Sequence, residues 1–341
     1  MKFLEEDNTN FPLISILVPI YNVEPYIEQC ARSLFAQSYP NIEFLFLDDC
    51  STDHSIEILN RVIGDYPSRQ GRIHIFHHEQ NLGLTASRDD LTEYCKGVFM
   101  IHVDSDDWVE PDMTELLYRR QLETNADVVT ARVMAHNGDR QYEFCDSGIN
   151  LSREDALLAL VAHKISFSIF RRLIRTSVVK DNGIRYYRDI RIYEDMQVLP
   201  RIFYFAKIVA GLDAFVYHYR INRSSLSFKL MTSYDLQKKR LGAIRKHTEF
   251  FSDKGDALRD AAQKFIMKEV SWSNWLALAC KHRDLYDETI TLLDSVGSRH
   301  WHMIGWNHWF KRWLDHHYHL SRLVFPIRDY RQNMLRKRKN S

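Results

Sequence analysis

The chain has 341 residues, of which 45% are hydrophobic and 27% charged, a length suited to one large domain or two modest ones. Thirteen per cent aromatic residues, 12 glycines and 8 prolines exclude disordered and collagen-like chains. Forty-six Lys and Arg against 45 Asp and Glu leave a net charge of +1, far from the basic balance of a protein committed to nucleic acid. In the first third, strand and helix signals alternate. Ile14 to Ile20 is a continuous apolar run, too short for a helix and suited to a strand buried on both faces. Ile27, Ala31, Leu34 and Phe35 follow at helical spacing. Glu43 to Leu47 predicts the next strand, ending in Asp48 and Asp49. Ser51, Thr52 and Asp53 supply capping side chains before the helical set Ile56, Leu59 and Ile63. A third strand is predicted over Ile73 to Phe76, a helix over Gly83 to Tyr94, and a fourth strand over Val98 to Val103, ending in Asp104. Pro111 marks a helix start that Leu116, Leu117 and Arg120 continue, and Asp127 to Val133 is a fifth strand.

Strands separated by helices of this length predict parallel pairing with right-handed crossovers, in an α/β class. The polar clusters Tyr21-Asn22, Asp48-Asp49 and Asp104 to Asp107 all follow strands. In an open α/β sheet those ends converge on one rim, where ligands bind. Further on, Glu194 and Asp195 precede the apolar set Met196, Val198, Leu199 and Ile202, an acidic helix start, and Ile208 to Tyr219 reads as a strand. After about residue 225 the character changes: Leu236 to Phe251, Ala257 to Cys280 and Tyr286 to Leu293 all read as helices.

The densest chemistry is Asp104-Ser105-Asp106-Asp107 at the end of an apolar strand. Three carboxylates within four residues repel one another unless positive charge lies between them. Mg²⁺ or Mn²⁺ suits such a set, taking oxygen ligands from one or two carboxylates together with substrate phosphates. The same residues also read as a solvated acidic turn ahead of the helix at Pro111. A dinucleotide-binding role is excluded, because a GxGxxG turn would be needed where PIYNVEPY stands.

PIYN at Pro19 to Asn22, DDCSTD at Asp48 to Asp53, NLGLTASR at Asn81 to Arg88 and DSDDW at Asp104 to Trp108, taken in order, resemble the inverting family 2 glycosyltransferases. The resemblance extends to Glu194-Asp195 and to YHYRINRSSLS at Tyr217 to Ser227, and covers roughly residues 12–228. It implies a GT-A nucleotide-sugar-binding fold, a mostly parallel sheet flanked by helices. That domain would span 12–228, with a helical C-terminal region over 229–341. It also implies a metal-dependent transfer of sugar from a nucleotide-sugar donor, UDP-linked, to a saccharide or lipid-linked saccharide acceptor in bacterial surface polysaccharide synthesis. The competing reading is a non-catalytic nucleotide-sugar-binding module that keeps the fold.

Carried onto this sequence, the resemblance makes Asp49 the carboxylate that accepts the uracil N3–H, and Pro19, Tyr21 and Asn22 the bed of the nucleotide. Asp104 and Ser105 would lie by the ribose and Arg88 by base or phosphate. Asp106 would bind Mn²⁺ or Mg²⁺, with His218 as a second candidate for metal or diphosphate. Asp195 matches the general base, with Glu194 as the alternative. Arg220, Arg223 and Ser225 are candidates to grip the diphosphate. The family's usual Arg-Asn pair reads Arg88-Asp89 here, which leaves the neighbouring polar contact unassigned.

Five scattered cysteines (Cys30, Cys50, Cys95, Cys145 and Cys280) form no CxxC pair, so neither a zinc site nor a disulfide framework is indicated. A cytoplasmic setting is the expectation, in keeping with an acidic start, MKFLEEDNTN, and no run of roughly 18 apolar residues. From His300 onward nine basic residues face only Asp315 and Asp329. Trp306, Trp309, Phe310, Trp313, His317, Leu320 and Leu323 fall at helical spacing there. This tail reads either as an amphipathic helix lying on an anionic membrane surface at the inner face of the plasma membrane, or as tryptophans packed on the helical region ahead of a free basic end.

Overall fold

The computed structural model describes residues 11–144, 152–161, 165–221, 234–280 and 283–294. The chain divides into two compact units, residues 1–160 with 164–223, and residues 161–163 with 224–341. The first unit opens with β1 (Ile14–Ile20), α1 (Ile27–Phe35), β2 (Ile42–Asp48), α2 (Ser55–Gly64), β3 (Ile73–His77), α3 (Leu84–Tyr94) and β4 (Phe99–His102). It continues through β5 (Trp108–Val109), α4 (Met113–Thr124), β6 (Val128–Asn137), β7 (Arg140–Phe144), α5 (Arg153–Val161), β8 (Arg172–Arg175), α6 (Thr176–Lys180), α7 (Glu194–Phe205) and β9 (Val209–Arg220). In the second unit the described residues form α8 (Tyr234–Phe251), α9 (Asp256–Cys280) and α10 (Arg283–Asp294). Among the described residues no helix is long and apolar enough to cross a membrane. The expected tail helix from about 306 to 324 lies outside the described residues, as do Arg223 and Ser225.

The nine strands make one sheet in the order β3-β2-β1-β4-β8-β6-β9-β5, with β7 paired to β6. β3, β2, β1 and β4 are mutually parallel, as their helical crossovers require. Every residue of β1 and β2 is buried, which is why both are mostly apolar, Ser15 and Glu43 being buried as a hydrogen-bonded pair. α1 lays Ile27, Cys30, Ala31, Leu34 and Phe35 on this sheet, and the Phe35 ring meets Phe44 edge to face at 5.2 Å. The larger of these, Ile27, Leu34 and Phe35, each contribute about 1.5–3 kcal/mol.

The second half of the sheet departs from the parallel expectation. β8 enters antiparallel between β4 and β6, so the fifth predicted strand is not the neighbour of the fourth. Four residues, Arg-Leu-Ile-Arg, are too few to display a period in sequence, and β5 and β7 are equally short or solvent-facing. β6 and β9 then pair in parallel, with register shifts on both sides of Arg132.

Beneath β1 and β4, Ser15 donates its hydroxyl to Glu43 (2.5 Å), and Glu43 in turn accepts the amide of Lys96 at 2.8 Å. Gly97 donates its amide to the Ser15 oxygen at 2.8 Å. A Cβ on Gly97 would stand 2.6 Å from the backbone atoms Phe99 O and Ser15 N, neither of which can yield. Gly97→Ala is therefore expected to cost about 1–3 kcal/mol by overpacking. Thermal melting should show a fall of several degrees, and an unchanged midpoint would mean the strands can part without penalty.

Candidate functional site

The parallel register of Ile20 with Asp48 and of Leu17 with His102 brings the ends of β1, β2 and β4 to one rim. Pro19 is buried within β1, whereas Tyr21 just beyond it is 48% exposed and offers an open ring face. Asn22 turns the chain with φ 51°, a left-handed conformation that asparagine tolerates. Its side-chain oxygen accepts the Thr52 amide at 2.8 Å, and its own amide donates to Ser51 Oγ at 3.2 Å. The loops after β1 and β2 are thereby joined. Asp49 is buried and anchors a third loop: Oδ1 accepts the Leu82 amide (2.8 Å) and lies 2.7 Å from His78 Nδ1, while Oδ2 accepts the Gly83 amide at 2.7 Å. Among the described residues Oδ2 accepts this one hydrogen bond, and a carboxylate oxygen has two lone pairs. Gly83, at φ 90°, stands at the start of α3, where a side chain would be strained.

α3 carries Arg88 into the floor of this rim. Its side chain is 2% exposed, while the carboxylates around it remain 14–23% exposed, so the guanidinium is sealed and the acids face the crevice. One Nη donates to Asp104 Oδ1 at 2.6 Å; the other donates to Asp195 and lies 3.7 Å from Glu194. The acidic turn after β4 and the acidic start of α7 are thus held by one cation. Burial pushes the Asp195 carboxyl up, with Arg88 opposing it and the Asp104 charge adding to the rise. Glu194 is pushed up to about 7 by burial, against Arg88, with Asp195 reinforcing the shift. Behind Arg88, burial and then the Arg88 charge hold His102 well below the ordinary histidine range, so its imidazole is neutral.

The four residues of the acidic turn have separate surroundings. Asp107 faces inward: its Oδ2 accepts the Tyr217 hydroxyl at 2.8 Å and its Oδ1 the Arg220 amide at 2.7 Å. Tyr217 also accepts the Asp104 amide at 3.1 Å, so Asp107 and Tyr217 clip the turn to β9. Ser105 is buried at 6% exposure. Asp106 is partly exposed, and its carboxylate takes a hydrogen bond from its own backbone. Burial and then the Asp104 charge raise it to about 6. Arg220 donates Nε to the Asp106 carbonyl at 3.0 Å and lies over the Trp108 ring at 4.8 Å, so this expected diphosphate candidate does sit at the acidic turn.

Asp104 and Asp106 together are a hard oxygen donor pair with lone pairs to spare. Among the described residues no group of three or more His, Cys, Asp or Glu forms a metal cage. A carboxylate pair of this kind suits Mg²⁺ or Mn²⁺, which complete their shell with phosphate and water. His218 does not join it. Its Nε2 lies 2.7 Å from Glu110 Oε1, its Nδ1 2.9 Å from His136 Nε2, and its ring stacks on Trp108 at 5.1 Å. Both ring nitrogens are occupied, and on β9 its neighbour Tyr217 is the residue that reaches the turn. Strand alternation separates them, a distinction that the run Tyr-His-Tyr does not reveal.

The residue that replaces the usual asparagine also has its contact. Asp89 accepts Arg185 Nε at 2.9 Å and Arg188 Nε at 2.8 Å. The arginines of Ile-Arg-Tyr-Tyr-Arg-Asp, just ahead of Glu194-Asp195, were the available signal, and nothing in sequence pairs them with α3.

Residues 15–182 match the family model described as Glycosyl transferase family 2. The chain is similar to the uncharacterized glycosyltransferase EpsJ of Bacillus subtilis (strain 168), 32% identical over 222 residues, which cover 63% of this chain and 63% of that one. It is similar to the hyaluronan synthase of Pasteurella multocida, 31% identical over 170 residues, covering 47% of this chain and 16% of the synthase. It therefore spans less than two thirds of the length of either relative. Among solved structures, S. aureus TarS 1-349 in complex with UDP superposes with a TM-score of 0.68 at 20% identity, over 94% of this chain and 91% of that one, and shares its fold.

Proposed function

We propose, for a chain that belongs to glycosyl transferase family 2, that this rim transfers a sugar from a nucleotide-sugar donor to a saccharide hydroxyl with inversion at the anomeric carbon. The observation that carries the reading is the single buried Arg88 holding Asp104 of the acidic turn and Asp195 of α7 in one site. A donor-binding carboxylate and a candidate base are thereby set on opposite sides of one cation.

In this reading Asp49 receives the base N3–H on an Oδ2 lone pair, and the exposed Tyr21, with Pro19 and Asn22, shapes the bed of the nucleotide. Asp104 and Ser105 face the ribose. Asp106, with Asp104, would hold Mn²⁺ or Mg²⁺, which when bound supplies neutralisation of the charge on the leaving diphosphate. Asp195 accepts the proton of the acceptor hydroxyl as its oxygen bonds to the anomeric carbon and the bond to the diphosphate oxygen breaks. Burial raises the basicity of Asp195, and the Arg88 charge opposes that rise. UDP is the nucleotide this reading selects, supported by a carboxylate at the rim with a lone pair suited to uracil N3–H and by the UDP complex of TarS. Polysaccharide assembly as the setting is supported by relatives such as the hyaluronan synthase.

A donor screen scored by release of nucleoside diphosphate tests the proposal. UDP should be released from a UDP-sugar in the presence of Mn²⁺ or Mg²⁺, and release should stop with chelator and in Asp106→Asn. Because Asp106 titrates at about 6, protons compete with the cation below that pH and release should decline as pH falls through it. Release that ignores chelator would remove the metal from the scheme, and no release from any nucleotide sugar would overturn the reading.

A further inference from the structure

Asp89 and Asp90 follow Arg88 directly on α3, and the chemistry proposed above leaves them unused. Asp89 is 2% exposed and carries two arginines of the segment that leads into α7. Arg185 donates Nε to Oδ1 at 2.9 Å and Nη2 to Oδ2 at 2.8 Å; Arg188 donates Nε to Oδ2 at 2.8 Å, and the Tyr186 amide reaches Oδ1 at 3.1 Å. Arg188 also donates to Asp90, so its planar fork spans two adjacent carboxylates, which a lysine cannot reproduce. Against the burial that would raise it, Arg185 and Arg188 hold the Asp89 carboxyl below its ordinary range.

The chain of contacts continues away from the segment. Asp90 Oδ2 lies 3.1 Å from His78 Nε2, and His78 Nδ1 lies 2.7 Å from Asp49 Oδ1. Asp49, His78, Asp90, Arg188 and Asp89 therefore form one continuous path. It begins at the carboxylate assigned to the nucleotide base and ends in residues 185–193, which run directly into Glu194 and Asp195. That segment has neither helix nor strand of its own. It ends on Tyr193 at φ 55°, a left-handed turn that aims the start of α7. Gln197 donates its amide to the carbonyls of Ile190 and Ile192, so side-chain contacts rather than a backbone ladder decide where the segment lies.

We propose that Asp89, Asp90 and Arg188 are positioning residues that couple the nucleotide-binding carboxylate Asp49 to the segment presenting Asp195, so that occupation of the donor site tightens the placement of the base. The proposal rests on the roles given to Asp49 and Asp195 above. It treats the aspartate at position 89 as the buried charge on which both arginines converge, Arg185 reaching on to Glu93 and Arg188 to Asp90.

The test uses the full chain and Arg188→Gln, a substitution at a half-exposed side chain that leaves Arg185 to hold Asp89. Hydrogen exchange is followed over residues 186–193 with and without UDP and Mn²⁺. In the wild type UDP should raise protection there. In Arg188→Gln that increment should vanish while UDP affinity stays within about threefold. Turnover should fall about tenfold with donor KM nearly constant, because a misplaced base costs rate rather than binding. Arg188→Lys should recover only part of the rate. An equal UDP-dependent increment in variant and wild type, or an unchanged turnover, would overturn the proposal. If the wild type binds no UDP, the nucleotide reading fails separately. The coupling is then judged on nucleotide-free protection of 186–193, which the proposal requires to fall in Arg188→Gln and which overturns it if unchanged.

Discussion

Asp195→Asn is expected to lower the rate of sugar transfer by about 10²–10⁴-fold, the usual cost of removing a general base, while leaving UDP and metal binding in place. The substitution keeps size and an acceptor oxygen for Arg88, and the guanidinium retains Asp104 and Glu194, so no buried cation is orphaned. A fall in kcat with donor affinity intact, measured by single-turnover kinetics beside calorimetry, identifies a loss confined to the reacting state. Glu194→Gln is the control. Burial pushes Glu194 up to about 7, yet it lies farther from Arg88 than Asp195 does. Near-normal transfer by Asp195→Asn, with collapse in Glu194→Gln, would move the base by one residue.

Arg88→Met should be the most destabilising single change in the site. The guanidinium is sealed while three carboxylates depend on its charge, and removing one partner of a buried pair costs about 3–5 kcal/mol. The loss carries a pH signature. Arg88 pulls down the carboxyl pKa of both Asp195 and Glu194 against burial. Without it, burial meets less opposition and both folded-state values rise farther above those of the unfolded chain. A carboxyl raised on folding costs nothing where both states are protonated. Its cost grows as pH climbs above the unfolded value of about 4 and levels off above the folded one. Denaturant titration should therefore show a smaller deficit at pH 5 than at pH 8. A deficit equal at both pH values would mean that lost packing, not unpaired charge, accounts for the change.

Both results would follow from an arrangement only half legible in the chain. Local regularities were readable because each is decided within a few residues. β1 and β2 are mostly apolar since both of their faces are covered, and α1 shows its stripe because one face alone meets the sheet. The acidic turn at Asp104 to Asp107 was visible for the same reason, and the ordered motifs around it pointed to the family that residues 15–182 match.

By itself, then, the sequence determined the order of β1 to β4 with their helices, the strand ends that form the rim, and the residue types placed on it. Only the tertiary structure decided which of those groups meet. Arg88 and Asp195 are 107 residues apart, and their contact exists because β8 pairs with β4 and the segment before α7 is tied to α3 through Asp89 and Thr85. Asp107 and Asp106 differ by one position, yet one is buried on Tyr217 and the other is partly exposed at the crevice. His218, chemically suited to a metal, is turned by strand alternation toward Glu110 and His136. Hydrogen-bond and ion-pair partners are chosen within about 3 Å, a distance set by sheet order and strand register, and four-residue strands such as β8 leave no periodic trace from which that order could be read.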